Sequence, residues 1–400
     1  MTERIGIIGG GIVGIAIARA LAQHELQVTV IEKEHRVAMH QTGHNSGVVH
    51  AGVYYSPGSL KAALCSTGRK LIKEYCQEKK LPYREVGKLV VAVTSKEIPG
   101  LNIIESHSRL NGVPGLRRVD SAQMKEIEPS VAGVAAIHSP HTAVVDYASI
   151  AEAMAEDVRE CGGTVLLGHE VTEAIQQAGK VTVITTAVEL EFDRLIVCAG
   201  LQSDIVARML GADPSPKILP FRGEYWSLAK EKRHLITGMV YPVPDPRFPF
   251  LGVHFTRGVY DDVQIGPNAV PAMSREGYSW GKISLRDTWE SLMWPGAPVL
   301  ARQHWRMGVN EIAASLVKPL YYKKAQRYIP ELKMTDLTSK TASGVRAQAW
   351  GRDGALLDDF AIDQLGPVTI LRNVPSPAAT SAIAIANYVL DDHLLTSHHE

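Results

Sequence analysis

The chain has 400 residues, 45% hydrophobic and 21% charged, enough apolar material for two domains or one large composite fold. Lys+Arg and Asp+Glu number 42 each, so no global charge bias points to a nucleic-acid partner. The four cysteines are widely spaced with no CxxC pair, which argues against a disulfide framework or a zinc site.

The N-terminus enters strand-like sequence directly, with no signal-peptide pattern and no apolar run of spanning length, so a soluble cytoplasmic chain is expected, at most peripheral on a membrane. "RIGIIGGGIVGIAIARALAQHELQVTVIEKE" predicts strand, glycine turn, helix and strand. Gly9, Gly11 and Gly14 give GxGxxG. The first permits the tight turn, the second lets backbone approach a pyrophosphate, and the third lets helix pack on strand. The helix N-terminus then offers amides and a dipole to the phosphates. Glu32, ending the second strand, can accept hydrogen bonds from an adenosine ribose, and its charge disfavours a 2′-phosphate.

The regular βα pattern then stops at "HQTGHNSGVVHAGVYY", residues 40–55, too Gly-rich for a helix and too polar for a buried strand. His40, His44 and His50 there do not read as a metal site, because Gly43 and the Asn-Ser-Gly that follows discourage a helix and no Cys or carboxylate nearby completes a ligand set. A helix follows, capped at Ser59 or Ser56, with Lys61 in its first turn, where the dipole disfavours a cation unless an anion is near. Cys65 and Cys76 on that helix read as packing residues.

"YASIAEAMAEDVRECGGTVLLGHEVTEAI" predicts helix, strand and turn, and "EFDRLIVCAGLQS" a strand ending at Cys198-Ala199-Gly200. "PVTILRNVPSPAATSAIAIANYVLDD" predicts strand, turn and helix, with Ser376-Pro377-Ala378-Ala379-Thr380 at the helix start. A nucleotide fold split into three pieces implies insertions. The expected class is α/β, α+β overall: a discontinuous Rossmann-type domain (1–80, 146–210 and 336–400) carrying an inserted mixed-sheet substrate domain (81–145 and 211–335). Within the insertion, "GKLVVAV" and "VHFTRGVYDDVQIGP" have strand character. In the tract 274–329, Trp280, Trp289, Trp294 and Trp305 alternate with Lys282, Arg286, Arg302 and Arg306, beside Leu292, Met293 and Met307. That fits either a monotopic membrane-contact segment or a helical subdomain that packs its tryptophans inside.

The glycine motif, the "IVCAG" strand and the C-terminal strand–turn–helix resemble the FAD-dependent oxidoreductases of the D-amino-acid oxidase superfamily. More narrowly, "HQTGHNSGVVHAGVYYSPGSLKA", "PFRGEYW", "PDPRFPFLGVHFTR", "GPNAV", "SGVRAQA" and "NVPSPAATSAIAIANYV" resemble the L-2-hydroxyglutarate dehydrogenases/oxidases, in order along the chain. The resemblance implies noncovalent FAD, a dicarboxylate substrate oxidised to 2-oxoglutarate, and electrons passed to membrane quinone or to oxygen. It also implies FAD contacts at Gly9, Gly11, Ile12, Val13, Gly14, Glu32, Lys33, Thr42, His44, Asn45, Ser46, Val171, Ala199, Gly200, Gly344, Pro377, Ala378, Ala379 and Thr380.

Oxidation of a 2-hydroxy acid needs a base for the hydroxyl proton, most simply a histidine near neutral pH. His50, His44 and His254 are the candidates, each with a structural hydrogen-bonding role as its alternative. Two substrate carboxylates call for cations, and arginine's planar fork suits them. Arg346, Arg222 and Arg257 lie in apolar or Gly-flanked strands, and Tyr55 and Tyr225 could donate to substrate or simply pack. The alternatives are a related FAD enzyme of amino acids or glycerol 3-phosphate, or a non-catalytic FAD-binding protein.

Overall fold

The computed structural model describes residues 2–24, 26–244, 251–341 and 343–395; residues 245–250 of the "PDPRFPF" stretch and the side chains of Arg306 and Met307 lie outside that description. Strand Arg4–Ile8 sits near the middle of a six-stranded sheet, with Gln27–Glu32 and Arg194–Val197 parallel on either side. Thr164–Leu167 extends one edge, Val368–Asn373 the other, and Ala361–Leu365 closes that side antiparallel. Three distant pieces of sequence thus build one nucleotide-type sheet.

Helices Ile12–Ala22, Leu60–Glu78, Tyr147–Glu160 and Ala378–Val389 cover one face, burying Ile5, Ile7, Ile15, Ile17, Ile150 and Ile385. The other face carries an antiparallel sheet of Val171–Gln177, Lys180–Thr185 and Glu189–Phe192, which packs Ala174, Val181, Val183 and Phe192 onto Ile8, Leu195 and Ile370. The sequence expectation of a turn after the 164–167 strand therefore needs correction. Strand Val171–Gln177 buries only Ala174, so it lacks the apolar alternation that marks a half-buried strand. A fully buried aliphatic side chain contributes about 1.5–3 kcal/mol, whereas an exposed ion pair contributes about 0–1 kcal/mol. The two apolar faces therefore hold the layers together.

An eight-stranded sheet stands against this unit, in the order 337–340, 226–228, 263–266, 254–257, 239–242, 88–92, 135–139, 117–120. Strands Lys88–Ala92 and Met239–Pro242 pair parallel, Val90 opposite Tyr241; the other pairs are antiparallel. One face buries Leu89, Val91, Val240 and Phe255 with Leu228, Ile265, Tyr321 and Ile329. By strand alternation the opposite face carries Lys88, Val90, Tyr241 and His254, and it packs on Val48, Ala51 and Val53 of the 40–55 stretch. A smaller sheet, Val270–Pro271, Lys217–Gly223 and Gly344–Trp350, lies between, followed in the inserted tract by helices Leu285–Leu292, Ala297–Leu316 and Lys318–Gln326.

Asp157 ties the helical layer together. Its carboxylate accepts from Arg19 Nε at 2.7 Å and the Tyr75 hydroxyl at 2.9 Å, and pairs with Lys79. Burial raises its pKa, but Lys79, Arg19 and Tyr75 outweigh that and hold it below the usual carboxylate value. Asp157→Ala is expected to cost about 2–4 kcal/mol in urea unfolding at pH 7, by stranding Arg19 and Tyr75. Because the folded pKa is depressed, the difference from wild type should be full above about pH 4 and shrink as the pH falls through the folded value.

Candidate active site

At the glycine turn the backbone leaves no room for side chains. Gly9 has φ 112°, and a Cβ there would lie 2.4 Å from the Cys198 carbonyl oxygen; one on Gly14 would lie 2.1 Å from the Gly9 oxygen. Gly11 differs, since its Cβ would meet only Thr42 Oγ1, at 3.4 Å, leaving the backbone open to close approach. Helix Ile12–Ala22, with Val13 in its first turn, starts with no side-chain cap at Gly11 and no acidic residue in that turn; Thr42 Oγ1 accepts the Ile12 amide at 3.0 Å. Glu32, 8% exposed, accepts the Gly10 amide at 2.6 Å and the Glu34 amide at 2.9 Å. Its carboxylate therefore stands against the turn at the end of its strand. An open Gly11, an acid-free helix start and a buried Glu32 fit a dinucleotide's pyrophosphate and ribose.

The other cofactor candidates gather around the same turn. Ala199 and Gly200 follow the Arg194–Val197 strand, and Gly200 lies near Gln41. Val171 begins the strand just after His169, whose amide donates to the Glu32 carbonyl. Asn45 folds the loop on itself: its amide donates to the Thr42 carbonyl at 2.6 Å and its oxygen accepts the Gly47 amide at 2.7 Å. Ser46 lies near the Tyr241 side chain. Gly344 presses on the His44 carbonyl, where a Cβ would lie 2.5 Å away. Pro377, Ala378 and Ala379 open the last helix, and buried Thr380 bonds the His50 amide at 3.1 Å and the Tyr147 hydroxyl at 2.9 Å. The 40–55 loop, the 344–350 strand and the C-terminal helix thus meet.

Beyond that junction lies a polar cluster. Half-buried His50 places Nε2 3.4 Å from Ser376 Oγ, and Tyr55 lies near the same serine. His254, buried, stacks on Tyr241 at 3.8 Å, and its Nδ1 faces the Gly252 carbonyl at 2.9 Å, so the neutral ring keeps Nε2 as acceptor. Burial, then Lys88, His254 and Arg346, hold the His50 pKa well below its ordinary value. His254 is lowered to about 3, by burial against the pull of the Gly252 carbonyl, with Arg346 and Lys88 adding to the fall. Both imidazoles stay neutral at physiological pH. Lys88 and Tyr54 also face this cluster, although neither stands out in sequence as a site residue: a lysine at a strand start reads as solvated. The Lys88 ammonium lies 4.1 Å from the Tyr241 ring centroid and 5.6 Å from that of Tyr54.

The candidate arginines separate. On the Lys217–Gly223 and Gly344–Trp350 pair, Arg346 stands opposite Phe221 and Arg222 opposite Val345, so the two point to opposite faces. Arg346 is the one whose charge reaches His50 and His254. Buried Arg222 faces Glu224 and lies 4.2 Å from the Trp280 ring centroid. Arg257 is fully engaged: it donates to the Ile236 and Arg233 carbonyls at 2.9 Å and to Asp261 at 2.8 Å, so it reads as a clamp on its own sheet. Tyr225 is buried beside Gly266, the residue paired with His254, within electrostatic reach of both Tyr321 and Tyr241. Lys61 has found its anion in Asp358 at 2.9 Å, while Asp359 accepts the Leu60 and Lys61 amides and Ser59 caps the helix.

The three histidines of the opening loop do not converge. His40 Nε2 lies 2.9 Å from Glu34, His44 stacks on Tyr278 at 4.3 Å with Nδ1 facing the His40 carbonyl, and His50 points elsewhere. Among the described residues, Glu34, His40 and Glu276 bring ligand atoms within 4.8 Å of one another. Lys33 pairs with both carboxylates of that group, so a cation already sits there.

A model of the FAD dependent oxidoreductase family matches residues 4–391. The human mitochondrial L-2-hydroxyglutarate dehydrogenase is 44% identical over 97% of this chain and 88% of its own length. The L-2-hydroxyglutarate dehydrogenase of Indibacter alkaliphilus is 43% identical over 98% of each chain. Among solved structures, the FAD-bound L-alpha-glycerophosphate oxidase of Mycoplasma pneumoniae superposes with a TM-score of 0.80 at 22% identity, covering 99% of this chain and 95% of that one, a likeness of fold. With the glycine turn, the buried Glu32 and the three-piece sheet in place, the chain belongs to the FAD-dependent oxidoreductases of the D-amino-acid oxidase superfamily, within the L-2-hydroxyglutarate dehydrogenase family.

Proposed function

We propose that the chain oxidises L-2-hydroxyglutarate to 2-oxoglutarate. The observation that carries this reading is the cluster beside the cofactor-side junction, where His50 next to Ser376 and His254 stacked on Tyr241 are held neutral within reach of the Arg346 charge. FAD, when bound, supplies the acceptor for the C2 hydride at N5. Arg346 holds the C1 carboxylate through charge-assisted hydrogen bonds and so fixes C2. His50 takes the hydroxyl proton, its amide pinned by Thr380 and its ring placed beside Ser376. His254 keeps its acceptor nitrogen toward the same cluster, and His44 supports the loop through its stack on Tyr278. The L-2-hydroxyglutarate dehydrogenase names of relatives at 43–46% identity support the choice of substrate over amino acids and glycerol 3-phosphate.

We also assign membrane quinone as electron acceptor, reached by peripheral contact through the 274–329 tract. Leu285 is 84% exposed, Trp289 65% and Leu292 64%, beside exposed Lys282 and Arg286, while Trp294 packs inward with Nε1 donating to the Gly351 carbonyl. An amphipathic face of Leu and Trp edged with cations suits an anionic bilayer surface. Among the described residues, no helix is long and apolar enough to cross a membrane.

Anaerobic addition of L-2-hydroxyglutarate should bleach the flavin of the holoenzyme, and the D enantiomer, amino acids and glycerol 3-phosphate should not; absence of bleaching by the L acid would defeat the proposal. His50→Gln should load FAD normally yet lower the reduction rate about 10²–10⁴-fold in stopped flow. Since the His50 value lies well below 6.5, the acid limb that His50 imposes on kcat/KM should lie below pH 6. The triple variant Leu285→Ser, Trp289→Ser, Leu292→Ser should lose sedimentation with anionic vesicles and keep the wild-type bleaching rate; unchanged sedimentation would remove the membrane assignment.

A further inference from the structure

Lys88 is the least expected charge in the molecule. It is 2% exposed, on the sheet face that fronts the 48–54 segment. Among the described residues it forms no ion pair and no hydrogen bond, only contacts with the Tyr241 and Tyr54 rings. The groups around it offer no anion. His50 and His254 are neutral, Arg346 is cationic, and the Cys65 thiol, pushed up to about 12 by burial, stays protonated. The Tyr54 hydroxyl is buried without a partner, on a ring whose centroid lies 5.6 Å from the Lys88 ammonium. An ammonium buried without a counter-charge is costly, and aromatic faces offset only part of that cost. Burial accordingly drags its pKa to about 7.

Both unsatisfied groups suit an incoming carboxylate: Lys88 as a point charge with three donors, Tyr54 as a hydroxyl donor. Arg346 reaches the cluster on the strand whose Gly344 abuts the loop beside the cofactor turn. Lys88 reaches it from the eight-stranded sheet. The two cations therefore reach one cluster from different sheets, and both act on His50 and His254, so a diacid has a separate cationic partner for each carboxylate.

We propose that Lys88, with the Tyr54 hydroxyl, binds the substrate's second carboxylate, the one remote from the oxidised carbon, and so selects a dicarboxylic over a monocarboxylic 2-hydroxy acid. This rests on the reading that the substrate is a 2-hydroxy diacid, and it adds the residue that measures the second charge.

The test uses FAD-loaded wild type, Lys88→Met and Lys88→Arg, with two unreactive probes of equal chain length, glutarate and valerate, titrated against the flavin absorbance spectrum. Wild type should prefer glutarate, and Lys88→Met should weaken glutarate about 10- to 100-fold while leaving valerate within about threefold. Lys88→Arg should recover part of the preference. Lys88→Met should also melt at or above the wild-type temperature without ligand, because it removes an uncompensated buried charge. Equal weakening of both probes, an unchanged preference, or a wild type with no preference for glutarate would overturn the assignment. Because neither probe is oxidised, the titration reads Lys88 even if L-2-hydroxyglutarate fails to bleach the flavin, and that failure would fall on the proposed reaction alone.

Discussion

The parallel pairing of strands Lys88–Ala92 and Met239–Pro242 is the constraint on which the site depends. No hairpin can close a parallel pair, so these strands come from segments far apart in sequence, and their register decides which side chains face the cofactor side. With Val90 opposite Tyr241, the alternation sends Leu89, Val91 and Val240 into the core and turns Lys88, Tyr241 and, one strand further, His254 toward the 48–54 segment. A slip of one residue would bury Leu89 against the site and drive Lys88 into the core. The facing wall is set by Thr380, whose hydroxyl holds the His50 amide and the Tyr147 hydroxyl at the start of the last helix.

The electrostatics follow from that enclosure. Desolvation favours neutral forms, so His50 and His254 lose their charge beside the Arg346 guanidinium. A site with neutral proton acceptors beside fixed positive charge suits an anionic alcohol: the cations bind the carboxylates, and the same charges keep the imidazoles free to accept a proton. Other buried charges have ion-pair partners. Asp157 has Arg19 and Lys79, and Arg275 has Asp204 at 2.6 Å. Lys88 departs from that pattern where the substrate is expected.

Much of the cofactor half was legible in sequence because local backbone demands wrote it there. Gly9 and Gly14 have no alternative residue at their contact distances, and Glu32 ends a strand whose period is plain. The substrate half was less legible because its partners are tertiary. Arg222 and Arg346 look equivalent as strand residues, and only the register against one another puts them on opposite faces. Arg257 resembles a free cation until the Ile236 and Arg233 carbonyls come round to meet it. Lys88 resembles any solvated strand-end lysine. The 171–192 sheet was hidden for a simpler reason: a thin outer layer exposes most of its first strand.

The most direct single measurement is a crystal structure of the FAD-loaded protein with glutarate bound. One carboxylate on Arg346, the other on Lys88 and Tyr54, and His50 Nε2 facing the carbon that carries the hydroxyl in the substrate is the arrangement expected. Glutarate held by Arg222 or Arg257 instead, with Lys88 still without an anion, would contradict it.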